Sequence, residues 1–181
     1  MDTATNASLV GAAQMRSTMS QFATGVVVLT VGGDHLHGMT ANAFSSVSLE
    51  PPMVLCCVGK NAVMHRAITG SGHFAASVLR AGHETYARHF ASRDRPLGSA
   101  QFAVGDWMPG ALTGAPLLTD SLAWVECALA DVYEAGDHSV FLGRVIGSGH
   151  RSGAGLLFFD GEFHPTTTWP PSTDAGPTDS I

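Results

Sequence analysis

The sequence predicts a mainly β fold, in which an antiparallel sheet closes on itself and two or three helices pack on its outside. Most apolar runs are short, rich in β-branched residues and bounded by glycine, proline or asparagine, which is typical of strands. Few segments have the periodicity of a helix. The sequence shows no internal repeat and no linker, so residues 1–169 are expected to form one domain, followed by a disordered tail at 170–181.

The N-terminal part is expected to hold one helix and then an antiparallel pair of strands. Apolar residues recur at helical spacing across residues 8–24, and Gly25 follows as a cap. The run VVVLTV at 26–31 predicts a strand that is buried on both faces. The turn residues at 32–34 then make the next strand antiparallel to it, and that strand is expected to continue until Pro51.

The rest of the chain predicts short strands, two short helices and one long hairpin. Glycine and proline between residues 92 and 119 predict loops, with one short strand near 102–104. The other segments are buried or half-buried strands at 53–58, 73–79 and 156–159, helices at 62–69 and 84–91, and a hairpin of strands at 122–133 and 138–146. Asn61 and Gly70 are expected to cap the first of these helices.

The composition limits the partners that the protein can have. Nine Lys and Arg against 15 Asp and Glu give a net charge of −6, which argues against nucleic acid and against an anionic membrane. No apolar run is long enough to span a bilayer, and the N-terminus lacks a signal-peptide pattern.

Three cysteines, two of them adjacent at Cys56 and Cys57, are expected to be reduced thiols in the cytoplasm. With 45% hydrophobic and 13% charged residues, part of the surface is expected to be covered by a second copy.

The stretch HGMTANAFSSVSLEPP at 37–52 is small, rich in hydroxyl groups and nearly uncharged, with Glu50 as its single carboxylate. Apolar runs precede and follow it, so buried strands are expected to hold its main-chain N–H groups and short hydroxyls in place. Such a surface suits a flat ligand with a polar edge, whose rim takes hydrogen bonds while its faces stay dry. The alternative is an ordinary Ser/Thr-rich strand and turn.

Six short segments, spread over nearly the whole chain, carry a family resemblance. They are GVVVLT at 25–30, HGMTANAFSSVSLEPP at 37–52, GHFAASVL at 72–79, ARHFA at 87–91, GDHSVFLG at 136–143 and GLLFF at 155–159. In this order they resemble the flavin reductase family, the small NAD(P)H:flavin oxidoreductases that supply reduced flavin to two-component monooxygenases. The resemblance implies a homodimer with an antiparallel Greek-key split β-barrel of the flavin-binding type. It also implies FMN or FAD as the flavin, NADH or NADPH as the hydride donor, and an oxygenase component that receives reduced flavin by diffusion.

The resemblance also implies which residues bind the flavin. Residues 39–42 are expected to line its pyrimidine edge, mostly through the main chain, and later residues to follow the ribityl chain and the phosphate. The expected cofactor-binding residues are Met39, Thr40, Ala41, Asn42, Ser45, Ser46, Val58, Gly59, Lys60, Asn61, Ala62, Ser77 and Phe90. Lys60 is the cation placed to meet the phosphate, although a plain solvated lysine is an equal alternative.

The chain departs from the family pattern at three positions. Ala62 and Met64 stand where the family usually has Ser and Thr, so two hydroxyls are missing from the expected phosphate wall. Ser77 stands where the family commonly has Asn. We therefore expect the flavin to be a loosely held substrate.

His138 is the expected catalytic residue. It follows a Gly-Asp turn and opens a strand, and its family counterpart lies against the nicotinamide, so its expected role is to orient that ring by a hydrogen bond. The alternative is an exposed hairpin histidine. Two other patterns indicate structural roles and not metal sites. His35 and His37 are expected on one face of a strand, but two histidines are too few ligands for zinc, so we interpret them as a polar strand end. Cys56 and Cys57 would face opposite sides of a strand and cannot bind one metal together, so core packing is the better interpretation.

The hydride donor and acceptor atoms both belong to cofactors, so the protein needs only to hold two rings together and exclude water. Accordingly, the sequence offers no obvious nucleophile, paired carboxylates or metal cluster. Two alternatives to a reductase remain open. One is a flavin-binding carrier or sensor on the same barrel, and the other is an oxidase of the pyridoxamine-phosphate type, which would need more phosphate-binding Arg and Lys.

Overall fold

The computed structural model describes residues 10–166, and these form a mainly β structure with three helices and antiparallel strand pairing. The strands are β1 Thr24–Gly25, β2 Val27–Val31, β3 His37–Ala41, β4 Phe44–Leu49, β5 Pro52–Gly59, β6 His73–Val78, β7 Trp107–Pro109, β8 Pro116–Leu118, β9 Ala123–Ala135, β10 His138–His150, β11 Leu156–Phe159 and β12 Glu162–Pro165. The helices are α1 Ala12–Met19, α2 Val63–Ser71 and α3 Glu84–Ala91, with 3₁₀ turns at Gly33–His35 and Gly98–Phe102.

The central element is a seven-stranded antiparallel sheet in the order β3-β2-β6-β9-β10-β5-β4. Its two edge strands, β3 and β4, are consecutive in sequence and are joined by Asn42 and Ala43 alone. The Cys57 N–H donates to the Ala43 carbonyl at 3.0 Å, which ties this bend to β5. The chain therefore passes from one edge of the sheet to the other within two residues.

The core lies on both sides of β2, because every residue of that strand is buried, as its continuous β-branched run predicted. On one side, α2 packs Met64, Ala67 and Ile68 against the sheet. On the other side, α3 packs Ala87 and Phe90, together with an aromatic group that includes Phe102 and Trp107. The predicted strands at 26–31 and 73–79, the helix at 84–91 and the long hairpin of β9 and β10 are confirmed.

The expectation of one strand from the turn at 32–34 to Pro51 is wrong. The bend at Asn42 and Ala43 divides it into β3 and β4, which lie at opposite edges of the sheet. Local propensity did not locate the bend, because Asn42, a residue type that is depleted in strands, stands between segments that are compatible with an extended chain. The next strand, β5, which was predicted to be a buried strand, has one buried face that carries Val54, Cys56 and Val58.

The limits of the first two helices also differ from expectation. The first helix ends at Met19, none of its residues is buried, and Gly25 belongs to β1 instead of capping the helix. The second helix has Ala62 and Gly72 as cap residues, where Asn61 and Gly70 were expected. The reason is backbone conformation: Gly72 has φ +68°, which suits glycine, and its N–H reaches the Ile68 carbonyl at 2.9 Å.

The region between α3 and β9 contains more structure than the predicted loops. Phe102 lies in a 3₁₀ turn, and not in a short strand, while β7 and β8 pair as a hairpin. The predicted last strand is followed by β12, and together with β1 these form a three-stranded sheet. The predicted domain end at residue 169 and the predicted tail at 170–181 lie outside the described residues.

Candidate functional site

Three connected clefts contain most of the residues predicted to bind the cofactor. The central cleft, about 680 Å³, is bordered by β3, the loop between β5 and α2, the segment after α3 and the start of β10. Of the predicted residues, it is lined by Met39, Thr40, Gly59, Lys60, Asn61, Ala62, Phe90 and His138. A side cleft of about 190 Å³ adds Ala41 and shares Thr40 with the central cleft. An apolar cleft of about 770 Å³, lying against α1, contains Ser45 and shares Asn42 with the side cleft.

The main chain of β3 forms one wall of the central cleft. The Gly38 N–H donates to Gln101 Oε1 at 2.8 Å, and the Gly38 carbonyl accepts from Arg95 Nη2 at 2.6 Å, so both groups of Gly38 point away from β2. Because backbone direction alternates along an antiparallel strand, the N–H and carbonyl of Thr40 point the same way. The Thr40 hydroxyl donates to the Ala87 carbonyl at 2.7 Å, which anchors the strand to α3. This wall therefore presents main-chain groups to the cleft.

Buried aromatic packing sets the depth of the cleft. Phe90 is fully buried beneath β3, and a Cβ atom at Gly38 would lie only 2.5 Å from the Phe90 ring. Its ring also contacts Phe102 and Trp107, with centroids 5.5 and 5.4 Å away. The glycine is therefore needed because β3 and the ring approach each other closely.

Lys60 lines the cleft but is engaged in an ion pair. Its Nζ lies 3.0 Å from Glu134 Oε2, and this contact holds the pKa of Glu134 below its usual value. The Lys60 N–H donates to the Asp137 carbonyl at 3.0 Å. The loop after β5 is therefore tied to the turn between β9 and β10, and the lysine charge is met by a carboxylate of the same chain.

His138, the first residue of β10, pairs with Gly59 of β5 and lies on the same side of the cleft as Lys60. Its side chain is 50% exposed, and its Nδ1 lies 2.8 Å from Asp137 Oδ1. The hydrogen bond with His138 holds the pKa of Asp137 below its usual value. A Cβ at Gly59 would lie 3.7 Å from His138 Nε2, which is an ordinary van der Waals contact. Within the described residues, Nε2 has no hydrogen-bond partner.

The structure does not bring every predicted residue to the cleft. Ser46 is exposed on the edge strand β4, and Val58 is buried in the core. Ser77 is fully buried, and its hydroxyl accepts a hydrogen bond from the Leu118 N–H at 3.1 Å. Met64, expected to replace a hydroxyl in the phosphate wall, is fully buried in the core, so that expectation is wrong for this residue. The reason is that Met64 lies on the inner face of α2, whereas Ala62 caps its exposed start.

Sequence reasoning missed two arginines that line the central cleft, Arg93 and Arg95. Arg95 donates from Nη2 to the Gly38 carbonyl and from Nη1 to the Ser92 carbonyl, and Nη2 lies 3.0 Å from His37 Nε2. Burial, together with the Arg95 charge, lowers the pKa of His37 from 6.5 to about 4. The available signal was the ArgAspArg sequence at 93–95, two cations within a segment that composition identified only as loop.

The other patterns in the sequence have structural explanations. His35 lies in a 3₁₀ turn beneath Gly70, so the expectation that it shares a strand face with His37 is wrong. Cys56 is fully buried and Cys57 is half-buried on the other face of β5, as expected. Within residues 10–166, no helix is long and apolar enough to cross a membrane.

Comparison with known proteins identifies the family. The family model for the flavin reductase like domain matches residues 19–167. A protein of Streptomyces globisporus named NADH-dependent FAD reductase is 49% identical over 164 residues, which cover 90% of this chain and 88% of that protein. The flavin-dependent monooxygenase reductase subunit HsaB of Rhodococcus jostii is 37% identical and covers 90% of this chain and 82% of its own length.

Among solved structures, the flavin reductase component of a bacterial two-component tryptophan halogenase superimposes with a TM-score of 0.82. It is 46% identical, and the match covers 86% of this chain and 98% of that structure. The resemblance carried by the six sequence segments is thus confirmed, and the chain belongs to the flavin reductase family.

Proposed function

We propose that this protein is an NADH-dependent flavin reductase, which reduces FAD or FMN and releases the reduced flavin to an oxygenase component. The observation that carries the proposal is the central cleft: main-chain groups of β3, the loop after β5 and His138 converge on one concave surface of about 680 Å³. This volume lies within the range of small-molecule sites.

The residues present fit a flavin in this cleft. The buried Phe90 ring supports β3 from behind, and the outward main-chain groups of Thr40 can bond the polar edge of a flat ring. Donors at the pyrimidine edge stabilise the charge that develops there on reduction. Asn61 and Ala62, next to the first turn of α2, border the same surface, where a phosphate is favoured by unpaired helical N–H groups. These residues would hold the flavin, with Ser45 and Asn42 extending the surface into the apolar cleft.

NADH supplies the hydride and the flavin accepts it, so the chain's own residues need to position the two rings and exclude water. His138 suits the positioning role, since its Nδ1 is held by Asp137 and the residue borders the cleft. A histidine with one nitrogen anchored presents the other in a defined direction. Its role is therefore to orient the nicotinamide by a hydrogen bond.

The names of the relatives favour NADH as the donor and FAD as one flavin, although FMN fits the same surface. They do not favour the alternative of a flavin carrier or sensor, because the relatives compared above carry the names of reductases. One is a monooxygenase subunit and another belongs to a halogenase system. The proposed partner is therefore an oxygenase-type component that uses reduced flavin, reached by diffusion.

We further propose that the seven-stranded sheet closes as a Greek-key split barrel within a single domain. The support is topological: the edge strands β3 and β4 are joined by two residues, so the bend brings the two edges together. We also propose a cytoplasmic location, which is in keeping with the three cysteines that are free among the described residues.

A homodimer is proposed from the surface around α1. This eight-residue helix buries none of its own residues, and Met15, Met19 and Phe22 are 54%, 47% and 65% exposed. Helices this short are not stable in water without tertiary packing. A second copy that covers this surface and the adjoining apolar cleft would provide that packing. Light scattering should therefore give twice the chain mass at micromolar concentration, and a monomer would contradict the proposal.

The decisive experiment follows NADH absorbance while purified protein is mixed with FAD, FMN or no flavin. A reductase consumes NADH only when flavin is present, and the rate rises with flavin concentration. Bound flavin without NADH consumption would support the carrier instead and would overturn the proposed function.

A further inference from the structure

The charges that line the central cleft are not distributed evenly. On one side, Lys60 is paired with Glu134 at 3.0 Å, and His138 is paired with Asp137 at 2.8 Å. On the other side, the loop after α3 contributes two cations at positions 93 and 95. The ion pairs found among residues 10–166 do not include either arginine. The cleft-lining arginines outside these ion pairs therefore lie on this loop, where Asp94 stands between them in sequence but does not line the cleft.

Arg95 is held in a fixed orientation by acceptors from two elements. The Gly38 carbonyl of β3 accepts from Nη2, and the Ser92 carbonyl at the end of α3 accepts from Nη1. His37 is 4% exposed and lies 3.0 Å from Nη2 through its Nε2. Since burial and the guanidinium hold the pKa of His37 near 4, its ring is neutral at pH 7 and can accept that hydrogen bond. A rigid guanidinium is thus set into the wall of the cleft.

This arrangement costs free energy unless an anion is present. Burial lowers the pKa of Arg95 below its usual value, which shows that the charge is partly removed from water. Its Nε is buried and has no hydrogen-bond partner within the described residues. A half-buried charge without a counter-ion is destabilising, and a phosphate that approaches a guanidinium restores both charge balance and hydrogen bonds.

We propose that Arg95, with Arg93 beside it, binds the diphosphate of a dinucleotide in the central cleft. The two arginines lie on a different element from Lys60 and the start of α2, so they form a second anion subsite instead of enlarging the first. A ligand with an adenosine half reaches such a subsite, whereas a mononucleotide does not. His37 acts as a positioning residue, because its buried ring contacts the guanidinium.

The dinucleotide would be FAD or NADH, and this identification rests on the proposed function. The anion subsite itself does not, because it follows from charge and geometry. Arginine suits the role better than lysine, since its planar fork donates two parallel hydrogen bonds to a phosphate group.

The direct test uses inorganic pyrophosphate as the probe and thermal unfolding as the readout. Pyrophosphate should raise the melting temperature of the wild type, with its apparent Kd weakened at least tenfold in Arg95→Gln. Arg66→Gln is the matched control, because it removes the same charge from an exposed position on α2 that does not line the central cleft. Equal pyrophosphate binding by wild type and Arg95→Gln would overturn the subsite.

The second test compares ligands that differ in the adenosine half. If the subsite binds FAD, Arg95→Gln should raise the Michaelis constant about tenfold for FAD but not for FMN. If it binds NADH, the same variant should raise the Michaelis constant about tenfold for NADH but not for reduced nicotinamide mononucleotide. The pair of ligands that differs therefore identifies the dinucleotide. Arg95→Lys should retain part of the affinity, since it keeps the charge. The Michaelis constant could instead rise equally for FAD and FMN, and equally for NADH and reduced nicotinamide mononucleotide. That result would show that Arg95 only holds the loop to Gly38, and it would overturn the proposal. A complete lack of NADH consumption would refute the proposed function, whereas the pyrophosphate result would still decide the subsite.

Discussion

Exchanging Met64 for threonine separates two roles for this position, because threonine is the residue that the family pattern leads one to expect. If Met64 bordered the flavin phosphate, the new hydroxyl would tighten flavin binding. In the structure, Met64 is fully buried among apolar residues that include Ile68 and Phe141. We therefore expect Met64→Thr to destabilise the protein without improving flavin affinity.

The size of the effect follows from two contributions. Truncating a buried methionine to alanine costs about 2–5 kcal/mol, and threonine keeps only part of the lost volume. A hydroxyl buried without a partner costs about 1–3 kcal/mol more. We expect the free energy of unfolding to fall by about 3 kcal/mol, which lowers the melting temperature by about 6–12 °C for a chain of this length. Circular dichroism during urea and thermal unfolding measures both quantities.

Two further variants sharpen the comparison. Met64→Leu conserves volume and polarity, so it should cost less than about 1.5 kcal/mol. Ala62→Ser places a hydroxyl at the N-cap of α2, where the backbone is extended (φ −72°, ψ 146°) and no side chain caps the helix. It should stabilise the protein by about 0.5–1 kcal/mol and, if Ala62 faces the phosphate, tighten FMN binding. The reasoning is refuted if the free energy of unfolding of Met64→Thr lies within about 1 kcal/mol of the wild-type value, which is roughly the resolution of such measurements. It is also refuted if this variant binds flavin more tightly than the wild type.

Three other changes test separate parts of the molecule. His138→Ala should raise the Michaelis constant for NADH about tenfold, or about 1.4 kcal/mol, without changing the melting temperature, because the ring is half exposed. Unchanged steady-state kinetics would remove it from the site. Glu126 is 1% exposed, and its Oε1 accepts from the Leu112 N–H and from the N–H and hydroxyl of Thr113. Glu126→Ala should therefore lower the free energy of unfolding by about 3 kcal/mol and Glu126→Gln by clearly less, and equal losses would contradict this account. Since the pKa of His37 is lowered from 6.5 to about 4, the unfolded chain takes up a proton first as the pH falls. The stability present above pH 6.5 should decrease by about 2–3 kcal/mol down to pH 4, and urea titrations should show a flatter profile for His37→Gln than for the wild type.

The sequence alone determined the fold class and the surface on which to look for a ligand. Patterns formed by residues that are close together in the sequence were sufficient for both predictions. The β-branched run at 26–31 specifies a buried strand, and the turn signal before His138 specifies the long hairpin. Both signals act within a few residues, so they do not require knowledge of the tertiary structure. The ordered family segments then indicated residues of which most line three connected clefts.

The tertiary structure decided which of those residues share a surface and which charges remain free there. The division of the stretch from 37 to 50 depends on the pairing of β3 and β4 with different strands, and no local pattern records such pairing. The burial of Met64 depends on which face of α2 meets the sheet. Likewise, Lys60 and Arg95 are equally charged in the sequence, yet Lys60 meets Glu134 of β9. Within residues 10–166, the hydrogen-bond acceptors that Arg95 meets are neutral groups of Gly38, Ser92 and His37. These partners are distant along the chain, and only folding brings their charges or lone pairs within a few ångströms, where electrostatic interactions are decided.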